Sequence, residues 1–396
     1  MNTGGVALIG PLAPLRGGIA AHNERLLEAM RRDGLDVTAV SYSRLYPRIG
    51  FPGTSQFHAS AVPHVSGEEP AASATAWLDT LDPRSWQHVA ALLERLRPAR
   101  VVAQWWHPVA APALGRILAA CPRATVTLVC HNLLPHERFP FSRALAAATL
   151  RRAGLVVCHS RTVADQVRGL LPAARVETVP LPALIEVGSP AMIAALRQDG
   201  CREWAQARYA VPAGAPLVLM AGHVRSYKGA QVLLEAWTRR PAGSGCLLLV
   251  GECYLRGAAR RRFLAQVEAD PSIVFVDRYV DDSELVRLLS ICQALVLPYR
   301  NASQSGMLAL ATALNVRCVV SDAGSLAEQA PGAQVVPSGD AGALGRAIEE
   351  ILSDAREAGR CGDQRSMPAQ AVAEEPANFL RQWSRVVEVV SENLRP

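Results

Sequence analysis

Several familiar signatures are missing from these 396 residues. The nine cysteines include no Cys-x-x-Cys pair, so neither a zinc ribbon nor a dithiol redox site is indicated. No Gly-x-Gly-x-x-Gly follows a strand pattern, which leaves a nicotinamide or flavin site without support. No apolar run is long enough to span a bilayer, and MNTGGVALIG lacks a basic region ahead of an apolar core, so no signal peptide is expected. The net charge of +6 is modest, and the arginines are scattered. Their densest group, Arg256, Arg260, Arg261 and Arg262, falls on one expected helix as a solvated face. Nucleic acid is therefore not an expected partner. A small anionic ligand fits the charge better, as does a weak approach to an anionic membrane surface. Cys130, Cys158, Cys246 and Cys318 sit in apolar runs as small hydrophobes, which suits a reducing cytosol. The expected location is cytoplasmic, with peripheral contact at the inner face of the membrane left open.

What is present is a regular alternation. Half the residues are apolar, and the length exceeds one ordinary core, so two domains are expected. Short apolar runs (Val6 to Ile9, Val37 to Val40, Val101 to Ala103, Thr125 to Val129, Leu155 to Val157, Val176 to Val179) alternate with helical patterns. The alternation pauses from Leu181 to Ala215 and resumes at Leu217 to Ala221, Leu247 to Val250, Ile273 to Val276, Ala294 to Leu297, Cys318 to Val320 and Gln334 to Val336. Such βα repetition predicts an α/β fold with mainly parallel sheets covered on both faces. We divide the chain into Rossmann-like domains at 1–190 and 191–375, with a terminal helix over 376–396. Phe379, Trp383, Val386, Val387 and Val390 give that helix one apolar face. Residues Gly359 to Pro376 read as a polar loop.

In open α/β sheets ligands bind beyond the carboxyl ends of the strands, so the loops there carry the candidates. Gly17-Gly18 opens a helix after the first strand and lets backbone approach a ligand. His131, in "CHNLLPHE", leaves an apolar run where a catalytic group could stand; His136 and Glu137 follow it. The five-residue histidine spacing, with Pro135 between, is not the helical metalloprotease arrangement. In "QWWHP", Trp105 and Trp106 could stack on an acceptor, although at least one of them should be core. The strongest local signal is "AGHVRSYKGAQVLLEAW": Arg225 and Lys228 lie in a short loop between Gly222 and a helix opened by Gly229. Two cations beside a helix N-terminus suit a diphosphate. Glu252, in "VGECY", could accept from a nucleotide hydroxyl or cap the next helix. The acids of "VDDSEL" read as a helix start. Finally, "LPYRNASQSGMLALATALN" (Leu297 to Asn315) ends a strand and opens a helix at Ser305-Gly306 without one acid in the stretch.

In their order and spacing, the Gly17-Gly18 loop, "CHN", "VVCHS" (Val156 to Ser160), "VRSYKG", "LLLVGE" and "LVLPYRNASQSG" resemble the GT4-type, or group 1, glycosyltransferases of GT-B fold. "YSRLYPRIGFPGTSQF" (Tyr42 to Phe57) is similar to a loop in one bacterial branch of them. The resemblance covers most of the chain. It implies two Rossmann-like domains facing across a cleft, the last helix crossing back to the N-terminal domain, and a nucleotide-sugar donor bound mainly by the C-terminal domain. It further implies retaining transfer without a metal or cofactor, to a glycan, lipid-linked or natural-product acceptor, in work such as exopolysaccharide or cell-envelope synthesis. Carried over by position, His131, Arg225 and Lys228 would be catalytic. Gly17, Gly18, Gly222, Glu252, Gln304, Ser305, Gly306 and Met307 would bind the donor, the last three through amides on the diphosphate. Trp106, His136 and Glu137 would meet the acceptor.

Two departures stand out. His223 occupies the usual arginine position five residues before the lysine, with Arg225 as the substitute. Ser303 and Ala311 stand where the family places two glutamates, removing charge-assisted bonds of about 1.5–3 kcal/mol each. The missing acids keep one alternative open, a non-catalytic binding or scaffold subunit; a second is another reaction of the same fold, such as nucleotide-sugar epimerisation. The oligomeric state, the sugar and the base are not legible.

Overall fold

The computed structural model describes residues 5–47, 56–57, 76–135, 139–185, 200–241, 245–360 and 376–391. The chain forms two compact units. Unit 1 contains Met1–Leu184 and Leu380–Pro396; unit 2 contains Ile185–Phe379.

Unit 1 holds a seven-stranded sheet, β3-β2-β1-β4-β5-β6-β7. Its strands are β1 (Val6–Ile9), β2 (Val37–Arg44), β3 (Ala76–Asp79), β4 (Arg100–Trp105), β5 (Thr125–Cys130), β6 (Leu155–Cys158) and β7 (Val176–Thr178). Every neighbouring pair is parallel. β1 and β6 are buried at all four positions, as expected when helices cover both faces of a sheet. The helix Gly18–Arg32 buries Ala20, His22, Asn23, Leu26, Leu27, Ala29 and Met30, one face at helical spacing. β3 went unpredicted. It is a four-residue strand that acquires its state by pairing with β2 at the sheet's edge, a long-range cause with no local pattern.

Unit 2 repeats the plan with six parallel strands, β10-β9-β8-β11-β12-β13. They are β8 (Leu217–Ala221), β9 (Cys246–Val250), β10 (Ile273–Val276), β11 (Ala294–Leu297), β12 (Cys318–Ser321) and β13 (Gln334–Val336). The helix Cys201–Tyr209 fills part of the stretch where the sequence pattern pauses. The helix Gly257–Glu268 carries the arginine group, and only its Phe263 is buried. Among the described residues, all eight cysteines are buried and outside any disulfide. No described helix is long and apolar enough to cross a membrane.

The last helix, Pro376–Ser391, belongs from Leu380 onward to unit 1. Trp383 is 1% exposed, and its indole N–H donates to the Ala183 carbonyl at 3.2 Å. Arg32 donates to Ser384 Oγ at 3.2 Å, and Thr127 Oγ1 donates to the Val390 carbonyl at 3.4 Å.

The acids of "VDDSEL" do begin a helix. Asp281 caps Asp282–Ile291 by accepting from the Glu284 N–H at 2.9 Å. Glu284 then turns inward. Its two oxygens each accept from Arg278 at 2.7 Å, while Tyr209 and Arg208 donate at 2.7 and 3.3 Å. The Arg278 bond is the main reason its pKa falls from 4.5 to about 2. Because the folded value lies below the unfolded one, this stability is present above pH 4.5 and is lost as pH falls toward 2. Glu284→Gln should cost about 2 kcal/mol, less than a fully buried pair because both arginines remain partly exposed. Urea denaturation between about pH 7 and about pH 3 should show a flatter acid limb in the variant than in the parent.

Candidate active site

Strand order assembles this site. In unit 2 the chain order reverses between β8 and β11, which lie side by side. The crevice at such a reversal is where open α/β sheets bind ligands. The segments leaving these two strands carry Gly222 to Gly229 and Pro298 to Ser305, far apart along the chain. They touch directly: the Arg300 N–H donates to the Tyr227 carbonyl at 2.6 Å, and the Tyr227 and Tyr299 rings meet edge-on at 6.4 Å.

Lys228 closes the 3-10 turn Ser226–Lys228. Its ammonium lies 5.3 Å from the centre of the Tyr299 ring. It also lies against Gly222, where an added Cβ would be 2.9 Å from Nζ. Lys228 is the only lysine in the chain; every other basic side chain is an arginine. A compact point charge thus stands at the position crowded by Gly222 and Tyr299. Burial lowers its pKa, Tyr227 opposes that shift and Arg225 adds to it. An arriving anion would relieve both the burial penalty and the repulsion.

Arg225 lies with its guanidinium carbon 4.7 Å from the centre of the Tyr254 ring, and the His223 ring stacks on Tyr254 at 4.7 Å. Tyr254 donates its hydroxyl to Glu252 Oε2 at 3.2 Å, and the same oxygen is 3.6 Å from His223 Nδ1. Glu252 is thus gathered with Arg225 around one tyrosine instead of capping the next helix, whose N-cap is Arg256.

Across the crevice, Ser305 caps the helix Gly306–Ala313 through Oγ, which accepts from the Leu308 N–H at 3.2 Å. Its own N–H donates to Gln329 Oε1 at 2.8 Å, and Gln329 Nε2 donates back to the Ser305 carbonyl at 2.7 Å. The expectation that the Ser305 amide is offered to a diphosphate is corrected here, because Gln329 takes it. Gly306 and Met307 supply the first two helical N–H groups, which have no intrahelical acceptor. Both are half-exposed, as is Gln304. Ala311 is fully buried, so the position that holds an acid in the family pattern offers nothing to a ligand here.

The structure thus brings Gly222, Arg225, Lys228, Glu252, Gln304, Gly306 and Met307 into unit 2 around β8, β9 and β11. Gly17 and Gly18 belong to unit 1; Gly17, at φ +119°, precedes the helix in a conformation that favours glycine. Trp106 is corrected from acceptor platform to core. It is 3% exposed, its N–H donates to Tyr46 Oη at 2.9 Å, and its ring meets Tyr42 edge-on. Trp105 is buried too, donating to the Leu133 carbonyl. His136 and Glu137 lie outside the described residues.

His131 leaves β5 as expected but does not reach a surface. It is 1% exposed, with Nε2 2.7 Å from Gln104 Oε1 and its ring beside those of His22 and His159. Burial holds His22 and His131 well below the usual imidazole pKa and brings His159 down to about 4, so all three are neutral at neutral pH. Sequence reading missed His22, His159, Tyr254, Tyr299 and Gln329. Gln329 gave no signal in the sequence, since its bonds join segments 24 residues apart.

The comparisons with known proteins agree with this geometry. Residues 17–182 match the glycosyl transferase 4-like domain, and residues 215–354 match glycosyl transferases group 1. The chain therefore belongs to the GT4-type, group 1 glycosyltransferases. It is an enzyme of GT-B fold, in the class that uses nucleotide-sugar donors. No curated protein matches it in sequence. Among solved structures it is similar to sucrose-phosphate synthase from Thermosynechococcus elongatus, at 19% identity, 98% and 100% coverage of the two chains, and a TM-score of 0.68. HepE of Anabaena in complex with UDP and glucose gives 13%, 98% and 99%, and 0.66. The α,α-trehalose-phosphate synthase of Burkholderia xenovorans, in complex with glucose-6-phosphate, gives 13%, 98% and 99%, and 0.64.

Proposed function

We propose that this glycosyltransferase moves a sugar from a nucleoside-diphosphate donor to a glycan, lipid-linked or natural-product hydroxyl, with retention and with no metal on the leaving group. The observation that supports it is the pairing of β8 with β11, which sets the segment carrying Arg225 and Lys228 against the one that leads to the helix Gly306–Ala313, through Arg300 on Tyr227 and Lys228 beside Tyr299. As the bond from the anomeric carbon to the phosphate oxygen breaks, its electron pair passes to the diphosphate. The two cations and the helix-end amides stabilise that charge, the task a divalent ion performs elsewhere. The acceptor oxygen bonds to the carbon on the face being vacated, and its proton passes to the departing phosphate oxygen. Ser303 and Ala311 provide no carboxylate to act as nucleophile in this stretch. Exopolysaccharide or cell-envelope synthesis, in the cytoplasm or at the inner face of the membrane, is the setting that fits.

UDP is the first nucleotide to try, since HepE is solved with it. At a hundredfold excess over Kd it should stabilise the protein by about 2.7 kcal/mol, read as a rise in Tm. The single lysine makes a second readout possible. Reductive methylation of amines should modify only Lys228 and the N-terminal amine, and the nucleotide should protect Lys228. Absence of both effects with every common nucleoside diphosphate overturns the proposal. Turnover should persist when magnesium and manganese are omitted.

A further inference from the structure

His22, His131 and His159 come from three separate segments and converge inside unit 1. His22 lies in the first turns of Gly18–Arg32, while His131 and His159 directly follow β5 and β6. They are 1%, 1% and 5% exposed. Their ring centres are 4.8 Å apart for His22 and His131, 4.8 Å for His22 and His159, and 5.4 Å for His131 and His159. Three imidazoles on one tetrahedral zinc-class ion, with bonds of about 2.1 Å, place their ring centres roughly 5 Å apart. One nitrogen from each ring already lies within 4.8 Å of the others, so the rings need only turn to close on an ion.

The outer bonds agree. His159 Nδ1 donates to the Val179 carbonyl at 3.0 Å, which leaves Nε2 as the lone-pair nitrogen; that Nε2 is buried without a hydrogen-bond partner. His131 Nε2 lies 2.7 Å from Gln104 Oε1, an acceptor that orients the ring. Neither nitrogen of His22 has a hydrogen-bond partner, although the ring is buried against Trp383 at 5.1 Å. A buried polar group without a partner calls for an explanation, and an ion supplies one. Among the described residues this is the one cluster of histidine, cysteine or acid able to hold a metal.

We propose that His22, His131 and His159 bind one borderline divalent transition-metal ion, with water in the remaining position. Neutral imidazoles without a carboxylate favour a zinc-class ion over magnesium or calcium. The ion would tie the helix Gly18–Arg32 to the ends of β5 and β6 beneath Trp383. It takes no part in the leaving-group chemistry, which is assigned to Arg225 and Lys228 in unit 2. Motif spacing predicts no metal because it sees only ligands close together in sequence, and these come from three segments.

The test uses the full chain, stripped with chelator and titrated with Zn2+ or Co2+ alone. One Co2+ per chain is expected, with visible d–d bands and no thiolate charge-transfer band, and Zn2+ should raise Tm. Gln104→Ala should lower Zn2+ affinity by about 10–100-fold, and His22→Phe, which keeps a ring against Trp383, by more than about 100-fold. Circular dichroism checks folding, and His159→Gln replaces His22→Phe if the latter misfolds. Stoichiometry well below one in the parent overturns the site, as does undiminished binding in the folded variants. UDP stabilisation of the parent, measured with and without Zn2+, reports the donor site separately.

Discussion

Lys228→Ala is expected to lower kcat by about 10²–10³-fold and to abolish stabilisation by a nucleoside diphosphate. The lysine carries the chain's only side-chain ammonium, with Gly222 leaving room for it and the Tyr299 ring beside it. Removing it leaves Arg225 and the helix-end amides to face a diphosphate without a point charge. Lys228→Arg should not restore activity, because a planar fork does not replace a compact point charge beside Gly222. Initial rates with the donor, beside thermal melts with the diphosphate, check this. Parent-like kcat in Lys228→Ala would remove the central support for the proposed mechanism. Reductive methylation with a carbon-13 label would also give one lysine signal, whose titration should lie below the usual lysine value in the free enzyme and rise when the diphosphate binds.

Gly229→Ala should have the largest effect on stability, a loss of more than about 3 kcal/mol. Gly229 sits at φ +69°, and a Cβ there would stand 1.9 Å from the Pro298 carbonyl oxygen and 2.9 Å from its carbon. Those atoms are backbone, so no side chain can swing aside. One of the two segments would have to move, and the proposed diphosphate site would move with it. Gly214 supplies the control: at φ +68° it has nothing within 4 Å of the added atom. Gly214→Ala should cost only the left-handed backbone term, about 1–2 kcal/mol. Urea unfolding of both variants separates steric clash from conformational preference. Equal losses would show that the approach of Gly229 to Pro298 does not constrain this fold.

The acid-free stretch after β11 is clearer in this setting. Ala311 is buried, and Ser305 is committed on both sides, to Leu308 through its hydroxyl and to Gln329 through its backbone. The segment acts as a fixed wall presenting Gly306 and Met307. Charge in the crevice comes from the β8 segment, and the nearby carboxylate, Glu252, comes from the end of β9.

The sequence by itself determined the class. Apolar periodicity placed every described strand except β3, and the loops beyond them carry the residues proposed here for the donor. That worked because parallel strands buried on both faces must be continuously apolar, and because glycine, lysine and helix caps signal phosphate chemistry locally. Tertiary structure decided the rest. It took Trp106 and His131 inside, since a residue just past a strand can face the core or the crevice, and local pattern is blind to which. It set β8 beside β11, so that the segment carrying Lys228 meets the one that leads to Gly306. It also drew His22, His131 and His159 together, because long-range packing, and not spacing along the chain, determines which side chains meet.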